Sequence, residues 1–117
     1  MKVYEVRDLL DATVLTGEQL LDQTVVGAGG ADIMEAFLAA ATKDAVILTG
    51  RTDDDVIRTA KVAGVAAVVF VRGKKPQESA LELARSYDLP TMVTRHSLFV
   101  ASGKLYMNGL RGLDGSW

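Results

Sequence analysis

The chain has 117 residues, 49% of them apolar but only 6% aromatic, and a net charge of −2 with acids and bases interspersed. Such a length holds one compact domain, able to bury roughly two-thirds of its unfolded surface in a core built from Val, Ala, Leu and Ile. The dispersed charge argues against nucleic acid as a partner. The absence of cysteine excludes disulfide staples, thiolate catalysis and cysteine zinc sites.

The first segment, MKVYEVRDLLD, is too charged for a secretory signal, and no apolar run approaches a membrane span, so a cytoplasmic protein without a membrane partner is expected. Residues 4–11 read as a short amphipathic helix, with Val3, Val6, Leu9 and Leu10 on one side and Glu5, Arg7 and Asp8 opposite. ATVLTG follows as a short strand closed by Gly17, and GEQLLDQ as a connecting turn. From Gln23 the pattern becomes regular. QTVVGA reads as a strand, residues 32–42 as a helix, DAVILTG as a strand and TDDDVIRTAKVAG as a helix ended by Gly64. VAAVVFVRG is the next strand, PQESALELARSYD a helix with Pro76 in its first turn, and LPTMVTRH the last clear strand. The remainder carries Gly103, Gly109, Gly112 and Gly115. One short strand is expected at Leu105–Met107, with residues 104–117 as a tail that is mobile or docked on a partner.

The strands are unbroken apolar runs (VVG, AVIL, AAVVFV, TMV) that do not alternate with polar residues. Such runs are buried on both faces, which implies a parallel sheet covered by helices. The expected fold is α/β: residues 1–117 form a single three-layer domain whose mainly parallel central sheet is flanked by helices.

In such a sheet the loops after the strand carboxyl ends share one edge, where ligands commonly bind. Here that edge collects Arg51, Arg72, Lys74, Lys75, Arg95 and His96, a basic cluster on an acidic chain. Residues Gly29, Gly30, Arg51, Arg72, Gly73, Lys74, Thr94, Arg95 and His96 are therefore the candidate anion site. GAGGAD resembles a dinucleotide-binding turn, but Asp32 stands where the fingerprint needs glycine and sets a carboxylate at the helix start. A tight turn that lets helix 32–42 approach the sheet fits better. The three carboxylates of GRTDDD suit helix capping, with Thr52 and Asp55 spaced as a capping box, better than a metal site. Arg51 is placed equally well to pair with Asp53 or Asp54 or to reach an acidic ligand. His96 is the sole histidine, so no two-histidine metal site exists. No catalytic constellation, cofactor or metal is expected. Residues 32–42 are apolar around much of the helix, which suggests a homodimer contact through Ile33, Met34, Phe37 and Leu38.

The order of these parts resembles the DRTGG domain family. The resemblance rests on VLTGEQLLDQTVVGAGGADIMEAFL, then AVILTGRTDDDVIRTAKVAGVAAVVFVRGKKP, then YDLPTMVTRHSLFVAS. Of the motifs usual in the family, the chain keeps Gly50 and Arg51 without the acid between them, and Gly73 and Pro76 with Val71 and Arg72 in place of threonine and glycine. It also keeps Thr94 and Phe99, with Ser97 at an aspartate position. The resemblance implies a regulatory or accessory module, as found within some phosphotransacetylases and CBS-containing pyrophosphatases, with a fold similar to the amino-terminal domain of HPr kinase/phosphorylase. It implies association between subunits and a larger metabolic or signalling protein as partner. The expected function is thus a non-catalytic, homodimeric interaction domain that senses an anionic metabolite or nucleotide at the strand carboxyl ends. The alternative is a small enzyme acting on a phosphorylated substrate, with Arg51, Arg72 and Arg95 as clamp and His96 as acid or base.

Overall fold

The computed structural model describes residues 1–30, 32 and 43–113. Apart from Asp32, the helix expected over 32–42, with the contact residues Ile33, Met34, Phe37 and Leu38, lies outside the described residues, as do residues 114–117. The chain opens with helix α1 (Val3–Leu10), which buries Val3, Val6 and Leu10 as the spacing predicts. The Glu5 carboxylate accepts the Lys2 backbone N–H at 3.0 Å and so satisfies one donor at the helix start. Strand β1 (Thr13–Thr16) and a 3₁₀ turn (Glu18–Leu20) follow.

Among the described residues the remaining elements are β2 (Gly27–Gly30), β3 (Ala45–Thr49), α2 (Asp54–Ala63), β4 (Ala67–Phe70), α3 (Glu78–Ser86), β5 (Thr91–Val93) and α4 (Leu98–Met107). The strands form one five-stranded sheet in the order β1-β5-β4-β3-β2. β2, β3, β4 and β5 are parallel neighbours, and only β1 runs antiparallel, against β5. Every residue of β3 and β4 is buried, as unbroken apolar runs require of strands covered on both faces. One core layer lies under α1 and α4 and includes Val46, Leu48, Val69, Met92 and Leu105. The other lies under α2 and α3 and includes Ile47, Val56, Ile57, Val68 and Phe70. The fold is therefore the α/β, mainly parallel arrangement read from the sequence.

Local expectations are corrected in four places. The expected strand over 23–28 starts only at Gly27 and runs through Gly30, so the glycines are themselves strand rather than a tight turn. Their missing side chains make room for leucines: an added Cβ would lie 2.9 Å from Leu113 Cδ1 at Gly29 and 2.7 Å from Leu98 Cδ1 at Gly30. Second, no capping box joins Thr52 and Asp55. Asp53 is the N-cap of α2, and the Thr52 carbonyl instead accepts the Gln77 N–H at 3.1 Å. Third, Pro76 precedes the N-cap of α3, Gln77, rather than sitting in the first turn. Fourth, Leu105–Met107 is the last turn of helix α4, not a strand. Ser97 caps that helix by accepting the Val100 N–H at 3.1 Å. Leu98, Ala101 and Leu105 recur at helical spacing on its inner side, and Gly103 faces open space, where it does not interrupt the helix.

Candidate functional site

The parallel strands end side by side, and hydrogen bonds tie the loops that follow them into one rim. From the β2 side, the Asp32 carboxylate accepts the Gly50 N–H at 2.8 Å and the Thr49 hydroxyl at 3.2 Å. The residue that breaks the dinucleotide fingerprint thus links two loops. Thr49 is fully buried, and its Oγ1 also accepts the Arg51 N–H at 3.1 Å. After β4, Arg72 and Gly73 both take left-handed conformations (φ 60° and 66°). Their N–H groups donate to the His96 and Thr94 carbonyls, each at 2.8 Å. After β5, the buried Thr94 hydroxyl donates to the Leu10 carbonyl at 2.7 Å and accepts the His96 N–H at 3.3 Å. The end of β5 is thereby fastened to the end of α1.

Along this rim the basic residues fall into two groups. Arg51 donates to Asp53 Oδ2 at 2.6 Å, and its Nη1 reaches the Asp32 carbonyl at 3.5 Å. The hydrogen bond to Asp53 raises the Arg51 pKa above the ordinary guanidinium value, against partial desolvation, and the charges of Asp53, Asp55 and Asp32 add to the rise. Of the two placements open to Arg51, pairing with an acid is the one observed. The Arg72 guanidinium lies across Gly50, where an added Cβ would overlap it. The other acids of this loop are also engaged: Asp54 accepts the Ser79 hydroxyl at 2.8 Å, and Asp55 pairs with Arg58 at 3.1 Å. Among the described residues no group of three or more His, Asp or Glu is arranged to hold a metal ion.

The second group surrounds a hollow of about 750 Å³ between the β5 end and β1. Lys75, Arg95 and His96 line it together with Gly73, Thr94 and Asp11. Lys75 and Arg95 are exposed and His96 is half-buried. No described carboxylate forms an ion pair with Lys75, Arg95 or His96. A hollow of this size, lined by two cations, an imidazole and the left-handed Gly73, can receive a compact anion. Neither Arg51, Arg72 nor Lys74 lines it. Gly29 and Gly30 stand at the far side of the sheet, in the wall of a different hollow of about 470 Å³ between β2 and α4.

That apolar hollow was not foreseen from the sequence. Phe99, Tyr106 and Met107 border it, and their spacing fits one helix face once residues 98–107 are read as helix. The contribution of Asp11 to the basic hollow was also missed, because it depends on the antiparallel return of β1 beside β5.

The described helices include none long and apolar enough to cross a membrane. No curated protein matches the chain. Among solved structures, it is similar to the crystal structure of the CBS and DRTGG domains of the regulatory region of Clostridium perfringens pyrophosphatase complexed with activator, diadenosine tetraphosphate. The match has a TM-score of 0.72 at 17% identity and covers 89% of this chain but 45% of the other, so the chain spans less than half of that structure. At this identity the likeness establishes a shared fold. The DRTGG domain profile matches residues 5–106, nearly the whole chain, and on that ground the chain belongs to the DRTGG domain family.

Proposed function

We propose that this domain is a regulatory module, working as a homodimer, that senses an anionic metabolite or nucleotide at the carboxyl ends of its parallel strands. The observation that carries the reading is the convergence of Lys75, Arg95 and His96 with Thr94 and Gly73 on one hollow. This is the edge where open α/β sheets commonly take their ligands. The description of the pyrophosphatase neighbour, a regulatory region complexed with a dinucleotide activator, supports the same class of role. A phosphate group would find the two exposed cations Lys75 and Arg95 beside the His96 imidazole, while the Asp11 carboxylate would disfavour a second anionic group placed near it. Arg51 contributes through structure, because Asp53 holds it. With Arg51 outside the hollow, the three-arginine clamp that an enzyme acting on a phosphorylated substrate would need is not assembled there.

The test is calorimetric titration with inorganic phosphate, AMP, ATP and diadenosine tetraphosphate. At least one phosphorylated compound is expected to bind. Substituting Arg95→Ala together with Lys75→Ala should weaken it by about tenfold or more, as the loss of charge-assisted hydrogen bonds implies. Absence of binding by any of them at millimolar concentration, or binding indifferent to the double substitution, overturns the site.

A further inference from the structure

Helix α4 is apolar on two faces. Leu98, Ala101 and Leu105 point into the core. On the opposite side Phe99 and Met107 are each 87% exposed, and Tyr106 is 45% exposed. Between Phe99 and Met107 lies Gly103, with open space where a side chain would be. These positions are four apart, so Phe99, Gly103 and Met107 form one ridge along about 12 Å of helix. Beside that ridge opens the apolar hollow of about 470 Å³ against the β2 edge.

We infer that this face is where two copies of the chain associate, with their α4 helices crossing antiparallel at Gly103. The ridge reads large, small, large, and is symmetric about its glycine. A two-fold axis through Gly103 sets Phe99 of each copy against the partner's Met107, and the bare glycine lets the helices approach closely. An isologous contact must be self-complementary in this way; a partner of different sequence requires no such symmetry. The extent also fits. With large side chains burying roughly 150–250 Å² each, the exposed parts of Phe99, Met107 and Tyr106 amount to about 400–500 Å² of apolar surface per copy. That matches the largest apolar patch of a typical monomer, which is often functional, and is over half of the roughly 800 Å² per partner in a stable dimer. The walls of the hollow and the polar rim extend it. Lys104 stands about 100° around the helix from Gly103, off the seam.

The inference rests on the homodimeric reading above and assigns its surface. Sedimentation of the full chain from low to high micromolar concentration should show a reversible monomer–dimer equilibrium. Phe99→Asp with Met107→Asp should raise the dissociation constant by about tenfold or more. The far-UV circular dichroism and cooperative melt should be unchanged, since both side chains are exposed. The chain has no cysteine, so Phe99→Cys with Met107→Cys gives a clean map: mild oxidation should join position 99 of one copy to 107 of the other. Glu82→Cys, on the exposed side of α3, should remain unlinked. A wild-type chain that stays monomeric throughout overturns the homodimer itself, including the case where the hollow takes a small apolar molecule instead. A dimer that survives the two aspartates, or links 99 to 99 and 107 to 107, leaves the homodimer standing and overturns this surface.

Discussion

At the residue scale, the rim is held by a few buried polar groups, and Thr94 is the one with most to lose. Its hydroxyl serves the Leu10 carbonyl and the His96 N–H at once. Thr94→Val keeps the shape and strands both partners, so a loss of about 1–3 kcal/mol is expected in urea unfolding, whereas Thr94→Ser should recover most of it. Arg51 differs, although its bond to Asp53 is shorter. Both side chains are about one-third or more exposed, so solvent screening limits the pair to about 1 kcal/mol or less. Arg51→Ala should therefore cost little and leave anion binding unchanged, in contrast to Arg95→Ala. Arg72 holds a left-handed conformation that side chains disfavour. Arg72→Gly should be neutral or stabilising by up to about 1 kcal/mol; a clear loss would mean that the guanidinium lying over Gly50 matters more than the backbone strain.

At the scale of elements, the sheet was legible because its strands are continuous apolar runs. AVIL and AVVF admit no reading but burial on both sides, and parallel neighbours follow from that. Helix α4 was not legible because Gly103, Gly109 and Gly112 look like breaks. Gly103 in fact stands on the outer face, where it meets nothing, while the cap and the inner apolar spacing drive the helix. The two glycines at the end of β2 misled in the opposite sense. They invite a phosphate reading, yet what approaches them is Leu98 and Leu113, which are distant in sequence and acquire their places only through α4 and the return of the chain past Gly112. The rim was legible as a set of loops on one edge. The division of its cations was not, since it depends on Asp53 capturing Arg51 and on the left-handed turn that lays Arg72 across Gly50. If the cap organises α4, Ser97→Ala should destabilise the protein by about 1 kcal/mol in urea or thermal unfolding, and amide exchange should quicken first in the turn that holds Leu98 and Phe99.

For the whole molecule, the question is whether two cores on opposite sides of one thin sheet behave as one cooperative unit. β3 and β4 send alternate residues to each side: Val46 and Leu48 face the α1 and α4 layer, Ile47 the α2 and α3 layer. Neither layer can melt without exposing a strand that the other needs for its own burial, so a single unfolding transition is expected despite the division. Leu105 and Ile57 report on the two layers separately, since each is buried in its own cluster with the sheet between them. Leu105→Ala and Ile57→Ala should each cost about 2–5 kcal/mol. Because their side chains share no partner, the double variant should lose the sum to within about 0.5 kcal/mol. In urea the three variants should move the midpoint with the slope unchanged. A second transition confined to one variant would mean that the sheet does not couple its faces, and a ligand at the strand ends would then influence only the layer it touches. With one shared transition, an anion bound at the proposed Lys75, Arg95 and His96 rim is expected to raise the unfolding free energy of both layers together, so the Leu105→Ala and Ile57→Ala variants should gain equally from it.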